Sequence, residues 1–148
     1  MPILSAPEDY VAVRAAMDLS LKPANVPDVI IQLDIFQGVA ERQVLERDPD
    51  AADRVGDELL RVKTATVYLT AALMLPVVPQ LVRERLGDQT YERLQMDVPA
   101  RVAALRKLAY QELGDGTDVI DVTKVVSPHF FGLLHGDRGK LGGGGWGC

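Results

Sequence analysis

The sequence predicts a mainly α protein: a four-helix body around one long central helix, a short Gly-Asp arm and an extended C-terminal tail. Three observations point there. Apolar residues recur at three- and four-residue spacing through most of the chain up to Leu113, which is the phase of a buried helix stripe. Prolines and capping residues fall at the ends of these runs. Eight of the 13 glycines lie between Gly132 and Cys148, so the closing segment is costly to order and has few side chains to offset that cost. The expected division is a helical domain over 1–116 and a docking tail over 117–148.

The elements follow in order. Ser5 with Glu8 three residues on forms a capping box, so a helix is expected from about Ala6 to Met17, with Val11 and Ala15 on one side. Pro23 and Pro27 bracket a loop, and Asn25 is an N-cap for a second helix, with Asp28 near its positive end. Val29, Leu33, Phe36, Ala40 and Val44 define its buried stripe, and Asp48-Pro49 stops it. The third helix should run from about Pro49 to Leu75, about 40 Å at 1.5 Å per residue. Its stripe is Val55, Leu59, Val62, Thr66, Leu69 and Leu73, with Arg54, Asp57, Glu58 and Arg61 opposite.

The second half of that helix is apolar or small nearly all round, and such a helix is buried on every side. Neighbouring copies are the expected cover, with Val67, Tyr68, Ala71 and Met74 as interface residues and Tyr91 joining them from the arm. Pro76 and Pro79 end or kink the helix. The Gly87-Asp88 turn then opens an extended arm or loose hairpin. Asp97 caps a fourth helix through Pro99, with Val102, Leu105, Leu108 and Ala109 inward and Gly114 as its stop. Asp118 to Val126 alternates partly and reads as a short strand.

Composition narrows the functions. The chain has 148 residues, 47% hydrophobic and 25% charged, which is one ordinary domain. A net charge of -5 argues against a protein that grips nucleic acid by neutralising phosphates. The lone cysteine, Cys148, excludes an intrachain disulfide framework, and the N-terminus has no signal-peptide pattern. Nineteen residues without formal charge, Thr64 to Val82, approach the length of a membrane span. Their threonines and two prolines place them inside protein, not lipid.

No catalytic or cofactor motif survives scrutiny. GGGGWG, Gly142 to Gly147, matches a G-x-G-x-x-G string, but the dinucleotide turn needs a helix after it and the sequence stops one residue later. GDRGKL lacks the spacing of a phosphate loop. His129, His135, Asp137 and Cys148 lack the paired spacing of metal ligands, so interface contacts are the preferred reading. Asp48, Asp50 and Asp53 sit at a helix start, where capping explains them. No cofactor, metal or enzymatic activity is expected. Phe130, Phe131, Leu133, Leu134 and Trp146, with Val125 before them, are the expected partner-binding residues; the bland alternative is that the cluster folds back onto the helical body.

The order of parts resembles the head-tail connector, or adaptor, proteins of tailed bacteriophages. The likeness lies in NVPDVIIQLDIFQGVAERQV, the Ala-rich RVGDELLRVKTATVYLTAALML, the Gly-Asp element ERLGDQTYERL and the closing DVPARVAALRKLAYQEL, over roughly Pro7 to Leu113. The resemblance implies a ring, dodecameric in that family, that docks on the portal protein and extends the DNA channel toward stopper or tail proteins. DNA would pass through without specific binding, and the protein would reside in the virion neck after assembly in the host cytoplasm. The glycine-rich ending after Lys140 departs from the family pattern. A small helical DNA-binding or regulatory protein, with the second and third helices as a reading pair, is the alternative; an enzyme accessory subunit with a docking tail is a third.

Overall fold

The computed structural model describes residues 2–114, and all structural statements below concern these. The chain forms α1 (Glu8–Met17), a single turn α2 (Asp28–Ile31), a π-helical turn (Asp34–Gly38) that runs into α3 (Val39–Arg47), and a 3-10 turn (Ala51–Asp53). The long helix α4 (Gly56–Met74) follows, then the one-turn α5 (Val78–Leu81), a 3-10 turn (Arg83–Arg85), α6 (Asp88–Gln95) and α7 (Val98–Glu112). The fold is mainly α, and no strand occurs among the described residues. The helix α4 is central: α7, α1 and α3 all pack on it.

Two apolar clusters form around α4. One joins Tyr10, Val13 and Met17 of α1 to Phe36, to Val67, Ala71 and Met74 of α4, and to Leu94 and Leu105. The other joins Ile3, Ala40, Val44 and Ala51 to Val62, Ala65 and Leu69 of α4 and to Ala109 of α7. Tyr68 and Leu73 touch both clusters, so the two are layers along a single helix. Thr66 and Thr70 sit fully inside, and each donates its hydroxyl to the carbonyl four residues back, Val62 and Thr66, at 2.8 Å. That bond satisfies the hydroxyl locally and lets threonine occupy an apolar face.

The helix starts differ from expectation in instructive ways. Helix α1 begins at Glu8, and the carboxylate that answers Ser5 is Asp9, not Glu8: Asp9 accepts from Ser5 N at 2.8 Å, Ser5 Oγ at 3.1 Å and Lys63 Nζ at 3.0 Å. The lysine of α4 draws Asp9 inward, and the buried face becomes Tyr10, Val13, Arg14 and Met17 while Val11 is exposed. Asn25 caps nothing. Its Oδ1 accepts from Lys22 N and its Nδ2 donates to Arg85 O at 2.9 Å, so it ties the loop to the segment before α6.

The expected second helix is broken. At Leu33 the backbone is extended (φ -56, ψ 135), and the wider π turn follows. Phe36, Ala40 and Val44 keep the expected stripe, but Val29 and Leu33 face outward and Ile31 takes the inner place. Ile31 and Phe36 are five residues apart, a spacing that the break and the π turn accommodate and a regular helix would not.

The long helix begins at Gly56, not near Pro49. Gly56 has φ +62, a left-handed backbone that glycine adopts without strain, and Val55 before it is extended and 78% exposed. Pro49 is followed by a 3-10 turn that buries Ala51, and Arg54 turns back to hold Asp48 through two bonds of 3.1 and 3.2 Å. The nineteen residues of α4 span about 28 Å. Gly87-Asp88 marks a turn as expected, yet the arm it opens is the helix α6, anchored by buried Leu86 and Leu94. On α7, Leu105 and Ala109 face inward and Val102 is half-buried, whereas Leu108 is exposed. Gly114 ends it with φ +84.

Arginines fasten the ends of these helices. Arg93 of α6 donates Nε to Asp18 at 3.0 Å and Nη2 to Ser20 Oγ at 3.0 Å. Arg101 of α7 reaches the carbonyls of Met17 and Arg93. Arg47 of α3 lies 3.9 Å over the Tyr110 ring of α7. Arg14 is fully buried; it donates Nε to Val26 O at 2.7 Å and pairs with Asp28 through Nη2. Burial by itself would raise the Asp18 carboxyl, but the bonds from Arg93 and Ser20 outweigh it and hold its pKa at about 2, from 3.8. A carboxyl depressed in the folded state stabilises above its unfolded pKa and loses that contribution as pH falls through its folded pKa. Asp18→Asn is therefore expected to cost about 1 kcal/mol at neutral pH, because half-exposed Arg93 is screened. In circular dichroism titrations the difference from wild type should vanish between pH 4 and pH 2.

Candidate functional site

The residues expected to face neighbouring subunits lie inside this chain. Ala71 and Met74 have no exposure and Val67 has 7%, all within the first apolar cluster. Tyr68 and Tyr91 are partly buried and pack against the same cluster. The Tyr91 hydroxyl accepts from Gln80 and Gln95 at 3.2 and 3.1 Å, and the Arg83 guanidinium lies 4.9 Å over its ring. The inference that α4 needs sister subunits as cover is thus corrected: the chain covers its own long helix. Besides whole helices, single turns and connecting segments supply cover, with Leu4, Leu21, Val26, Val78 and Val82 all buried in that cluster. The partner-binding candidates Val125, Phe130, Phe131, Leu133, Leu134 and Trp146, and the ligand-like His129, His135, Asp137 and Cys148, lie outside the described residues.

What the described residues do form is a cleft of about 480 Å³ where the N-terminal segment crosses the π turn. It is lined by Pro2, Leu4, Ser5 and Ala6 of the N-terminal segment, by Tyr10 of α1, and by Gln32, Asp34, Gln37, Gly38 and Glu41 from the break through the π turn into α3. The volume lies in the range of ligand-binding pockets.

A hydrogen-bonded chain holds these walls together. The Tyr10 hydroxyl donates to Gln37 Oε1 at 2.8 Å. The Gln37 amide donates to Leu4 O at 3.1 Å and to Glu41 Oε1 at 2.8 Å. Both of those partners only accept, so they fix which end of the amide is nitrogen, and Tyr10 must be the donor to the other end. Glu41 Oε1 also accepts from Ile3 N at 3.0 Å and Leu4 N at 3.2 Å. One carboxylate oxygen therefore takes three donors and pins the N-terminal segment to α3. Burial pushes the Tyr10 phenol above its usual range, and it stays protonated as the donor this chain requires.

At the mouth, Asp34 forms a two-pronged pair with Arg42 at 3.0 and 3.1 Å, and bonding to that guanidinium holds its carboxyl below the usual range. Gly38 makes this arrangement fit. A Cβ there would stand 2.0 Å from Asp34 Oδ1, so only glycine allows the aspartate to fold over the π turn as it does. The sequence reading missed Tyr10, Gln37 and Glu41. The one available signal was Gln37 and Glu41, four apart on a helix face next to the buried stripe, and it does not reveal that residues near the start return to meet them.

Elsewhere the body leaves large apolar side chains on its surface. Val29, Leu33 and Ile35 are 62%, 39% and 58% exposed around the break before the π turn. Among the described residues no three His, Cys, Asp or Glu side chains are grouped to hold a metal ion, and no helix is long and apolar enough to cross a membrane. Asp48 is bonded to Arg54, which keeps its carboxyl below the usual range. Comparisons with protein-family models, curated proteins and solved structures returned no match.

Proposed function

We propose that the chain is a structural, non-enzymatic subunit of a phage neck ring, a head-tail connector that docks on the portal protein and extends the DNA channel toward stopper or tail proteins. The observation that carries this reading is the order of elements: a short first helix, an interrupted second segment, the long α4, a helix opened by Gly87-Asp88, and the closing α7. That order keeps the succession of parts on which the resemblance rests, with two changes: the second helix is interrupted at Leu33 and the Gly-Asp arm is the helix α6. With α4 covered internally, the ring contact falls to the surface. Val29, Leu33 and Ile35 are the strongest apolar candidates for it in the described body. The apolar cluster Phe130 to Leu134 supplies the portal contact in this reading.

The test is negative-stain microscopy and sedimentation of the full chain, alone and mixed with the portal protein from the same phage genome. Annular particles or a stable portal complex support the proposal. Failure to join the portal at micromolar concentrations, together with tight duplex binding at moderate salt, would favour the DNA-binding alternative instead.

A further inference from the structure

The break at Leu33 has no local cause in the sequence. Between Pro27 and Gly38 the chain has neither proline nor glycine, the residues to which sharp interruptions of a helix most often trace. Val29, Leu33, Phe36, Ala40 and Val44 keep helical spacing straight through it. In the observed arrangement Ile31 is fully buried, while Val29 and Leu33 stand 62% and 39% exposed. Two apolar sets therefore compete for one inner surface: Ile31, or Val29 with Leu33. A continuous helix cannot bury both, because residues two apart point about 200° away from each other.

The tie specific to the π turn is weak. Asp34 folds back over Gly38 and pairs with Arg42, but these side chains are 75% and 57% exposed, and such pairs contribute little. The packing around the start of the segment also leaves a donor unmet. Arg14, 1% exposed, gives Nε to Val26 O and Nη2 to Asp28, yet its Nη1 is buried without a hydrogen-bond partner among the described residues. A buried donor left unpaired disfavours the arrangement that creates it. Gly38 is the pivot. A Cβ there would stand 2.0 Å from Asp34 Oδ1, so the broken arrangement requires glycine, whereas a regular helix favours alanine at the same position.

We propose that residues 28–38 form a two-register switch. In the broken register, Val29, Leu33 and Ile35 face outward. In the straight register 28–47 is one helix, Val29 and Leu33 join Phe36, Ala40 and Val44 on the inner face, and Ile31 and Ile35, four apart, turn outward together. The exchange withdraws Val29 and Leu33 from the surface. Resting on the neck-ring reading, it regulates the apolar contact assigned there, and the broken register is the competent one. A neighbouring subunit that covers Val29 and Leu33 selects that register, because only that register offers them.

The experiment is NMR on the full chain. Relaxation dispersion confined to residues 28–38 is expected in wild type, the signature of microsecond-to-millisecond exchange with a minor register. Asp34→Pro should abolish it, since proline suits the first position of the turn after extended Leu33 and cannot continue a helix through it. Gly38→Ala should act the other way. It obstructs the fold of Asp34 over the turn and favours regular helix, so the ratio of straight to broken register should rise at least about fivefold. The Leu33 Cα shift then moves from the extended toward the helical value, and the Ile31 methyl groups lose their core contacts. Combining Asp34→Pro with Gly38→Ala should return Leu33 to the extended value. A Gly38→Ala chain that keeps Leu33 extended, or that unfolds, overturns the inference. So does a wild type without exchange in this segment, or exchange that persists in Asp34→Pro. Portal binding plays no part in these readouts, so the neck-ring reading stands or falls separately.

Discussion

Replacing Met74 by alanine is expected to lower the unfolding free energy by about 3 kcal/mol, and by the same amount at every protein concentration. Met74 is fully buried beside Val67, Ala71 and the α1 residues Val13 and Met17 in a single cluster. Truncating it removes three heavy atoms and leaves a cavity that rigid neighbours on α4 and α1 fill only in part. The concentration independence is the discriminating part. A residue at a subunit interface would lose its effect on dilution, because the wild-type assembly would itself dissociate. Urea unfolding followed by circular dichroism at one and at one hundred micromolar checks both statements. A variant of unchanged midpoint but lower sedimentation coefficient would return Met74 to the outside of the molecule.

Periodicity reads a helix well when the helix is regular and poorly when a neighbour resets its phase. The stop at Asp48-Pro49, the termination at Gly114 and the inward set Val62, Thr66 and Leu69 were legible because each is local, set by proline, by a left-handed glycine or by a four-residue repeat. The break at Leu33 was not. The apolar run from Val29 to Val44 continues through it with acceptable helical spacing, and only the burial of Ile31 in place of Leu33 decides against it. The environment of α4 was illegible for a different reason. Helical patterns alone account for too little cover, because Leu4, Leu21, Val26 and Val82 come from segments with no helical period. Loops and single turns close a core as effectively as helices when their apolar residues reach it. The cleft belongs to the same class, since Ile3 and Leu4 meet Glu41 across 38 and 37 positions of sequence.

Glu41→Ala should be the most damaging single change outside the apolar clusters, at about 3 kcal/mol. The reason is the number of groups that share its Oε1. Losing the carboxylate strands the amides of Ile3 and Leu4, both residues buried, and one hydrogen of the Gln37 side chain, itself 7% exposed. Each donor left without a partner away from water costs on the order of 1 kcal/mol or more. The N-terminal segment would then peel from α3, taking Ile3 out of the second cluster and Leu4 out of the first. Two further measurements separate this from general destabilisation. Amide hydrogen exchange at residues 3 and 4 should accelerate far more than exchange within α4 or α7, since those helices keep their own contacts. Glu41→Gln, which retains an oxygen at the same reach, should recover at least half of the lost stability. Uniformly faster exchange throughout the chain would mean that the segment is fastened by its apolar contacts, and that the carboxylate contributes nothing specific to holding it.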